Sequence, residues 1–164
     1  MSELNEIASV LLVGIGATAV LDAWIAAIGR LGVPGLNFAF LGRWFGHLLR
    51  GRLVHAAIGR SAPIAGELAW GWVAHYAIGI VFAAVFIRWE GIQWMQQPSA
   101  WTAVGFGICT VLIPLLVMQP AMGAGFASRR TATPLRNVIR SVANHAVFGL
   151  GLYLAALLVA ELMR

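Results

Sequence analysis

Six side chains in this sequence could bind or move something polar, and each stands in or beside a long apolar run: Asp22, His75, Tyr76, Gln119, Asn144 and His145. A carboxylate and an imidazole held close together exchange protons near neutral pH. Two imidazoles on facing helices are also the axial pair of a b-type haem. Against both stands a plainer reading, a hydrogen-bond network that fixes helix packing, because interhelical polar pairs are common and contribute only about 0.6–2 kcal/mol. An enzymatic role ranks lower. No serine or cysteine stands near a histidine with an orienting acid in sequence, as a hydrolase would need.

The elements that carry these residues follow from composition. Of 164 residues 60% are hydrophobic and 10% charged, against about 45–50% apolar in an ordinary soluble domain, so the chain is an integral membrane protein. About 20 apolar residues cross a hydrocarbon core of about 30 Å, and four such runs are present, near 7–29, 67–89, 101–123 and 141–162. The expected fold is all-α, a polytopic membrane protein of one domain, with four transmembrane helices forming two tandem hairpins. Inside the span from Glu67 to Trp89, His75 needs a partner, since an unpaired polar group in lipid costs several kcal/mol. At about 1.5 Å per residue, Asp22 and His75 lie about 10 Å inside the same boundary, and Gln119 and His145 about 6 Å. One polar layer results, in which His75 and His145 are expected to face each other near Asp22, Tyr76, Gln119 and Asn144.

The connection 30–66 is too long and too apolar for a plain loop. Over 38–50 the spacing puts Arg43, His47 and Arg50 on one helical face and Leu41, Phe45 and Leu48 on the other. This predicts an amphipathic helix lying in the interface, with Trp44 at headgroup level and the arginines toward anionic lipid headgroups and water. His47 and His55 read as interfacial histidines rather than metal ligands, because no cysteine or acid stands beside them at ligand spacing. Trp89, Trp94 and Trp101 mark the opposite interface. Pro114 and Pro120 predict a kink in the third span. Thr133-Pro134 supply the cap and first position of the last helix. Cys109, the lone cysteine, reads as a small core residue, so no disulfide framework exists.

Eleven arginines and no lysine give a net charge of +5. Arg30, Arg43, Arg50, Arg52 and Arg60 lie in one connection and Arg129, Arg130, Arg136 and Arg140 in another, leaving only Arg88 and Arg164 on the other side. Such clustering sets topology rather than nucleic-acid binding. It predicts a multi-pass protein of the bacterial inner membrane with both termini periplasmic, a direction with which Glu3 and Glu6 agree. The pattern Val13-Gly14-Ile15-Gly16 with Val20-Leu21 returns as Val104-Gly105-Phe106-Gly107 with Val111-Leu112. His75 precedes Gly79 by four, as His145 precedes Gly149. A duplicated hairpin follows, with glycines that allow close helix approach or leave room for a haem ring.

The segments VPGLNFAFLGRW (33–44), GELAWGWVAHYAIGI (66–80), MQPAMGAGFASRRT (118–131) and NHAVFGLGLYLAA (144–156) resemble an uncharacterised bacterial family of small inner-membrane proteins, known only as a domain of unknown function. The likeness covers nearly the whole chain. It implies a four-helix membrane protein and brings no activity, cofactor or catalytic residue with it. The expected partners are the lipid bilayer and a small polar solute or proton, with a homo-oligomer left open and the haem protein and a ligand-free structural subunit as the alternatives.

Overall fold

In the computed structural model, residues 3–162 are described, with side chains from residue 5 onward. Arg164 and the side chain of Glu3, both used above to read orientation, lie outside the described residues. The described chain is helical and contains no strand. Four of its helices are long and apolar enough to cross a membrane: Asn5–Arg30, Glu67–Glu90, Ala100–Ala121 and Pro134–Leu162. We label the elements α1 (Glu3–Arg30), α2 (Phe38–Leu48), α3 (Glu67–Glu90), α4 (Ala100–Thr110) and α5 (Pro134–Leu162).

The third span departs from a plain α-helix where the prolines stand. Pro114 has no N–H to give to the ladder, and from Pro114 to Met118 the chain widens into a π-helical turn that closes with the Gln119 N–H on the Pro114 carbonyl. The predicted irregularity is therefore present. Gly123, at φ 94°, then takes the chain out of the helix in a conformation that costs other residues dearly. The last helix starts at Pro134, where the missing N–H is harmless.

The chain falls into two compact units. The first comprises the residues up to Gly35, Tyr76–Cys109 and those from Asn144 onward; the second comprises Leu36–His75 and Thr110–Ala143.

The first unit is built on close helix approach. Its core is apolar, with Val13 and Ala17 of α1, Ala83, Phe86 and Ile87 of α3, Ala103 of α4 and Phe148, Leu152, Ala156 and Val159 of α5. Backbone is brought against backbone at the repeated glycines. A Cβ on Gly14 would lie 2.6 Å from the Ile80 Cα, one on Gly149 2.7 Å from the Val104 Cα, and one on Gly107 2.8 Å from the Gly149 Cα. The two hairpins use the motif differently, however, because Gly105, which corresponds to Gly14, meets nothing within 4 Å. Hydroxyls in this core satisfy themselves along their own helix: Thr18 Oγ1 donates to the Gly14 carbonyl at 2.8 Å and Ser9 Oγ to that of Asn5 at 2.7 Å. Trp94, expected at the interface, is instead buried, with its ring edge-on to Phe86 at 4.6 Å and its Nε1 donating to Thr102 at 3.0 Å. A paired indole N–H makes the ring a good core residue. Cys109, expected in the core, is exposed, because it falls on the outer side of α4. Ile7, Leu11, Leu12, Val81, Val85, Leu154 and Leu158 are exposed as well. Water would leave such a surface sticky, whereas a bilayer solvates it.

The second unit is built around α2. Asn37 caps it, its side chain accepting from the Phe40 N–H at 3.3 Å. The helix ends at Leu48, short of the expected residue 50, and the turn closes through Gly51 at φ 75°. Gly42 and Gly71 let α2 and the start of α3 touch backbone to backbone: a Cβ on Gly42 would strike the Glu67 carbonyl, and one on Gly71 that of Phe38. Beyond α2 the chain from Leu53 is extended. The His55 N–H donates to the Ala121 carbonyl at 2.8 Å and the Ile58 N–H to that of Met122 at 2.9 Å.

Candidate functional site

Polar groups gather in two places, one in each unit. In the first, α1 carries Asp22 and Trp24. The Tyr76 hydroxyl donates to Asp22 Oδ2 at 2.9 Å, and Trp24 Nε1 donates to Asn144 Oδ1 at 3.1 Å. Two residues turn an α-helix by about 200°, so Asp22 and Trp24 leave α1 on nearly opposite sides, and α1 is tied to α3 by the first bond and to α5 by the second. His145, next to Asn144, lies 6.5 Å from the Phe82 ring by centroids and has the Gly107 backbone as a hydrogen-bond partner. Four of the six expected layer residues thus belong to this unit: Asp22, Tyr76, Asn144 and His145. Trp24 joins them unforeseen. An indole within an apolar run gives no sign of the amide that its N–H will find.

The other two belong to the second unit. The His75 ring lies 4.8 Å from Phe38 and 6.0 Å from Trp72, which stack on each other at 4.1 Å. Gln119 Oε1 accepts from the Ser128 hydroxyl at 2.9 Å. Ser128 stands at φ 59°, a conformation that few L-residues adopt. His75 and His145 therefore each have their own surroundings, in different units.

The second unit also holds a densely hydrogen-bonded ion pair. Arg43 Nε donates to Glu67 Oε2 at 2.8 Å and Nη2 to Oε1 at 2.7 Å, a two-pronged pair, while Nη1 points at the carbonyls of Ile58, Gly59 and Ser61 at 3.1–3.4 Å. Glu67 Oε2 also accepts from the Ile64 N–H at 3.2 Å. The bond to Glu67 holds the Arg43 guanidinium above its usual pKa. This differs from the orientation expected for α2, whose other face, Leu41, Phe45 and Leu48, is itself only partly buried. Arg43 is 9% exposed, and Trp44 and His47 are 6% exposed, so three of the four residues expected to meet lipid headgroups and water are buried in protein, and only Arg50 is exposed. The periodicity separated the two faces, but an arginine with five donors was better matched by a carboxylate and loose loop carbonyls than by water.

Beside this pair lie the two histidines read as interfacial. They pack edge to face, with ring centroids 5.0 Å apart. His47 Nε2 meets the Ala62 carbonyl at 2.9 Å. His55 is 3% exposed, with neither ring nitrogen in a well-aligned hydrogen bond, although the Ala121 and Leu53 backbones lie close enough to act on it. Burial pushes the His55 imidazole below its usual pKa, with the positive charge of Arg52 acting in the same direction. It is a buried neutral ring.

The room for a haem ring that the glycines were expected to leave is not found at Gly79 or Gly149. The glycines near each histidine, expected to make room for the ring, are already filled. A Cβ on Gly79 would strike Thr18 Oγ1, and one on Gly149 would strike the Ala103 carbonyl.

Comparison with known proteins adds one match. A family model described as a protein of unknown function (DUF2938) matches residues 11–159. No curated protein and no solved structure matches the chain.

Proposed function

The chain belongs to DUF2938, a membrane-protein family of unknown function, and on that footing we propose that it binds or passes a proton or a small polar solute at Asp22. One observation carries the reading. Within a helix apolar enough to span a membrane, a carboxylate is kept and held at 2.9 Å by a phenol from another such helix. Ionisable groups in spans are costly, and they mark ion and proton paths more often than packing. Asn144 and His145, in the same unit, add an amide and an imidazole. Together these groups can accept and donate protons as a polar guest requires.

The membrane of this proposal is the bacterial inner membrane, with both termini periplasmic and the arginine-rich connections cytoplasmic, where anionic headgroups would attract Arg129, Arg130 and Arg136. Reporter fusions after Arg60 and at the C-terminus should then report opposite sides. A cytoplasmic signal from the C-terminal fusion would contradict this orientation.

The protein, reconstituted in liposomes loaded with a pH-sensitive dye, tests the activity. Under an imposed potential it should pass protons faster than empty liposomes do, and Asp22→Asn should abolish the difference. In infrared difference spectra the Asp22 carboxyl should titrate and Asp22→Asn should remove that signal. Flux no greater than that of empty liposomes, together with a silent carboxyl, would leave a packing network and a structural subunit.

A further inference from the structure

Charge in the second unit is left unbalanced. Its two segments, Leu36–His75 and Thr110–Ala143, hold eight arginines and one acid, Glu67, which Arg43 already engages. The other seven guanidiniums have no acid of their own unit, and so much charge of one sign marks a surface for an anionic partner.

The loop 125–131 presents two of these arginines on a stiff frame. Ala127 and Ser128 stand at φ 49° and φ 59°, a conformation that costs an L-residue free energy and persists only where the surroundings enforce it. Here the Ser128 hydroxyl donates to Gln119 Oε1 at 2.9 Å, the Thr131 hydroxyl to the Ser128 carbonyl at 2.7 Å and the Arg130 N–H to the Ala124 carbonyl at 2.9 Å. Arg129 and Arg130 are both exposed. Asn137 Nδ2 donates to Thr131 Oγ1 at 2.9 Å. Because Thr131 follows Arg130 and Asn137 follows Arg136, this bond ties the turn that carries the exposed Arg136 to the loop that carries the other two.

Apolar side chains choose the partner. Phe126 is 60% exposed, Leu135 73% and Ile139 60%. Leu135, Arg136 and Ile139 share one face of α5, where with Thr133 and Pro134 they line an open groove of about 430 Å³, within the range of about 300–1,000 Å³ usual for small-molecule sites. A nucleic acid offers phosphate but nothing to cover these side chains. A phospholipid offers a phosphate with glycerol and acyl carbon directly beneath it, and a chain with four helices fit to cross a membrane meets such lipids in its own solvent. Guanidiniums hold phosphate oxygens through paired N–H donors. A zwitterionic headgroup would also bring an ammonium, which no carboxylate of this unit is left to receive.

We propose that Arg129, Arg130 and Arg136 bind the phosphodiester of one anionic phospholipid of the phosphatidylglycerol class, with its glycerol and first methylenes in the groove over Leu135 and Ile139 and Phe126 anchoring the loop at the acyl boundary. This turns the headgroup attraction proposed above from a diffuse one into a retained lipid. It rests on that attraction and not on Asp22, which lies in the other unit.

Native mass spectrometry of the full-length protein, in detergent micelles doped equally with phosphatidylglycerol and phosphatidylcholine, decides the matter. One phosphatidylglycerol per chain should stay bound, preferred over phosphatidylcholine by at least about tenfold, which is less than three arginines supply at about 1 kcal/mol each. Arg129→Gln/Arg130→Gln/Arg136→Gln should abolish the preference. Arg50→Gln/Arg52→Gln/Arg60→Gln, which removes equal charge from exposed positions of the same unit, should keep it. Leu135→Ser/Ile139→Ser should weaken retention several-fold with the charge untouched. If the first triple variant fails to fold, Arg136→Lys takes its place, since it keeps the charge, loses the paired donors and should lower the preference. No preference in the wild type, equal losses in the two triple variants, retention unchanged by the apolar pair, or displacement of the lipid by millimolar inorganic phosphate each overturns the assignment. Equal losses would leave a diffuse attraction, and displacement a site for free anions. Micelles impose no leaflet, so an error in the membrane orientation would leave retention intact and the two failures distinct.

Discussion

The two units hold their helices together by different means. In the unit of α1, glycines bring backbone to within van der Waals reach of backbone, and single hydrogen bonds cross between helices, such as Tyr76 to Asp22 and Trp24 to Asn144. The unit of α2 has glycine contacts too, but it adds a guanidinium shared among a carboxylate and three carbonyls. The difference follows from backbone regularity. A continuous helix satisfies its own N–H and C=O groups and needs only close approach. The irregular chain from Ile58 to Ser61 leaves carbonyls open, and buried carbonyls need donors. Arg43 supplies them.

The largest expected effect breaks this contrast at Arg43. Arg43→Ala strips the carboxylate and the loop carbonyls of their donor at once, and should cost more stability than any other single change named here. Arg43→Met with Glu67→Leu should recover part of the loss, because it removes both buried charges rather than one. Unfolding of the purified protein in mixed micelles, read as a double-substitution cycle, measures this. A double variant no more stable than Arg43→Ala would show that the loop carbonyls, not the ion pair, set the cost.

Glycine substitutions sharpen the comparison at the next level. Gly149→Ala should destabilise by about 1–3 kcal/mol, the usual cost of overpacking a tight contact. Gly105→Ala, at the open position of the same motif, should instead stabilise by up to about 1 kcal/mol, the helix preference of alanine over glycine. Equal effects from the two would mean that the glycine motif does not set the packing. Gly42→Ala tests the same contact in the other unit, and a cost as large as that of Gly149→Ala is expected.

The smallest effect belongs to Trp24→Phe. It keeps the ring and removes the N–H that Asn144 accepts, so a loss of about 1 kcal/mol is expected, typical of one hydrogen bond. A loss several times larger would mean that the indole packs as much as it bonds.

Much of the scaffold could be read from residues near one another in sequence. The four apolar runs became helices near their expected bounds, because crossing length is a property of one segment alone. A π-helical turn begins at Pro114 in the third span, and Thr133-Pro134 marked the start of α5. Less was legible in the polar groups. Arg43 and His47 share a face as their spacing requires, yet that face turned inward. No helical period could say so, because what turned it was Glu67, 24 residues away, and the loop between them. The only sequence trace of that contact was the pair Gly42 and Gly71, whose meaning depends on knowing that they meet. His55 shows the same limit. Its spacing from His47 has no helical meaning across Gly51, and its burial follows from hydrogen bonds made by a segment more than 60 residues later.

By itself, then, the sequence determined that this chain is an all-helical membrane protein with four spans, where the spans break and which residues are polar inside them, because hydropathy, proline chemistry and helix capping act locally. Tertiary structure decided the partners: Tyr76 for Asp22 across 54 residues, Asn144 for Trp24 across 120, Glu67 for Arg43, and His47 for a buried His55. The hydrogen-bonded pairings among these lower the cost of removing a polar group from water, and that cost is indifferent to how far apart in the sequence the two groups stand.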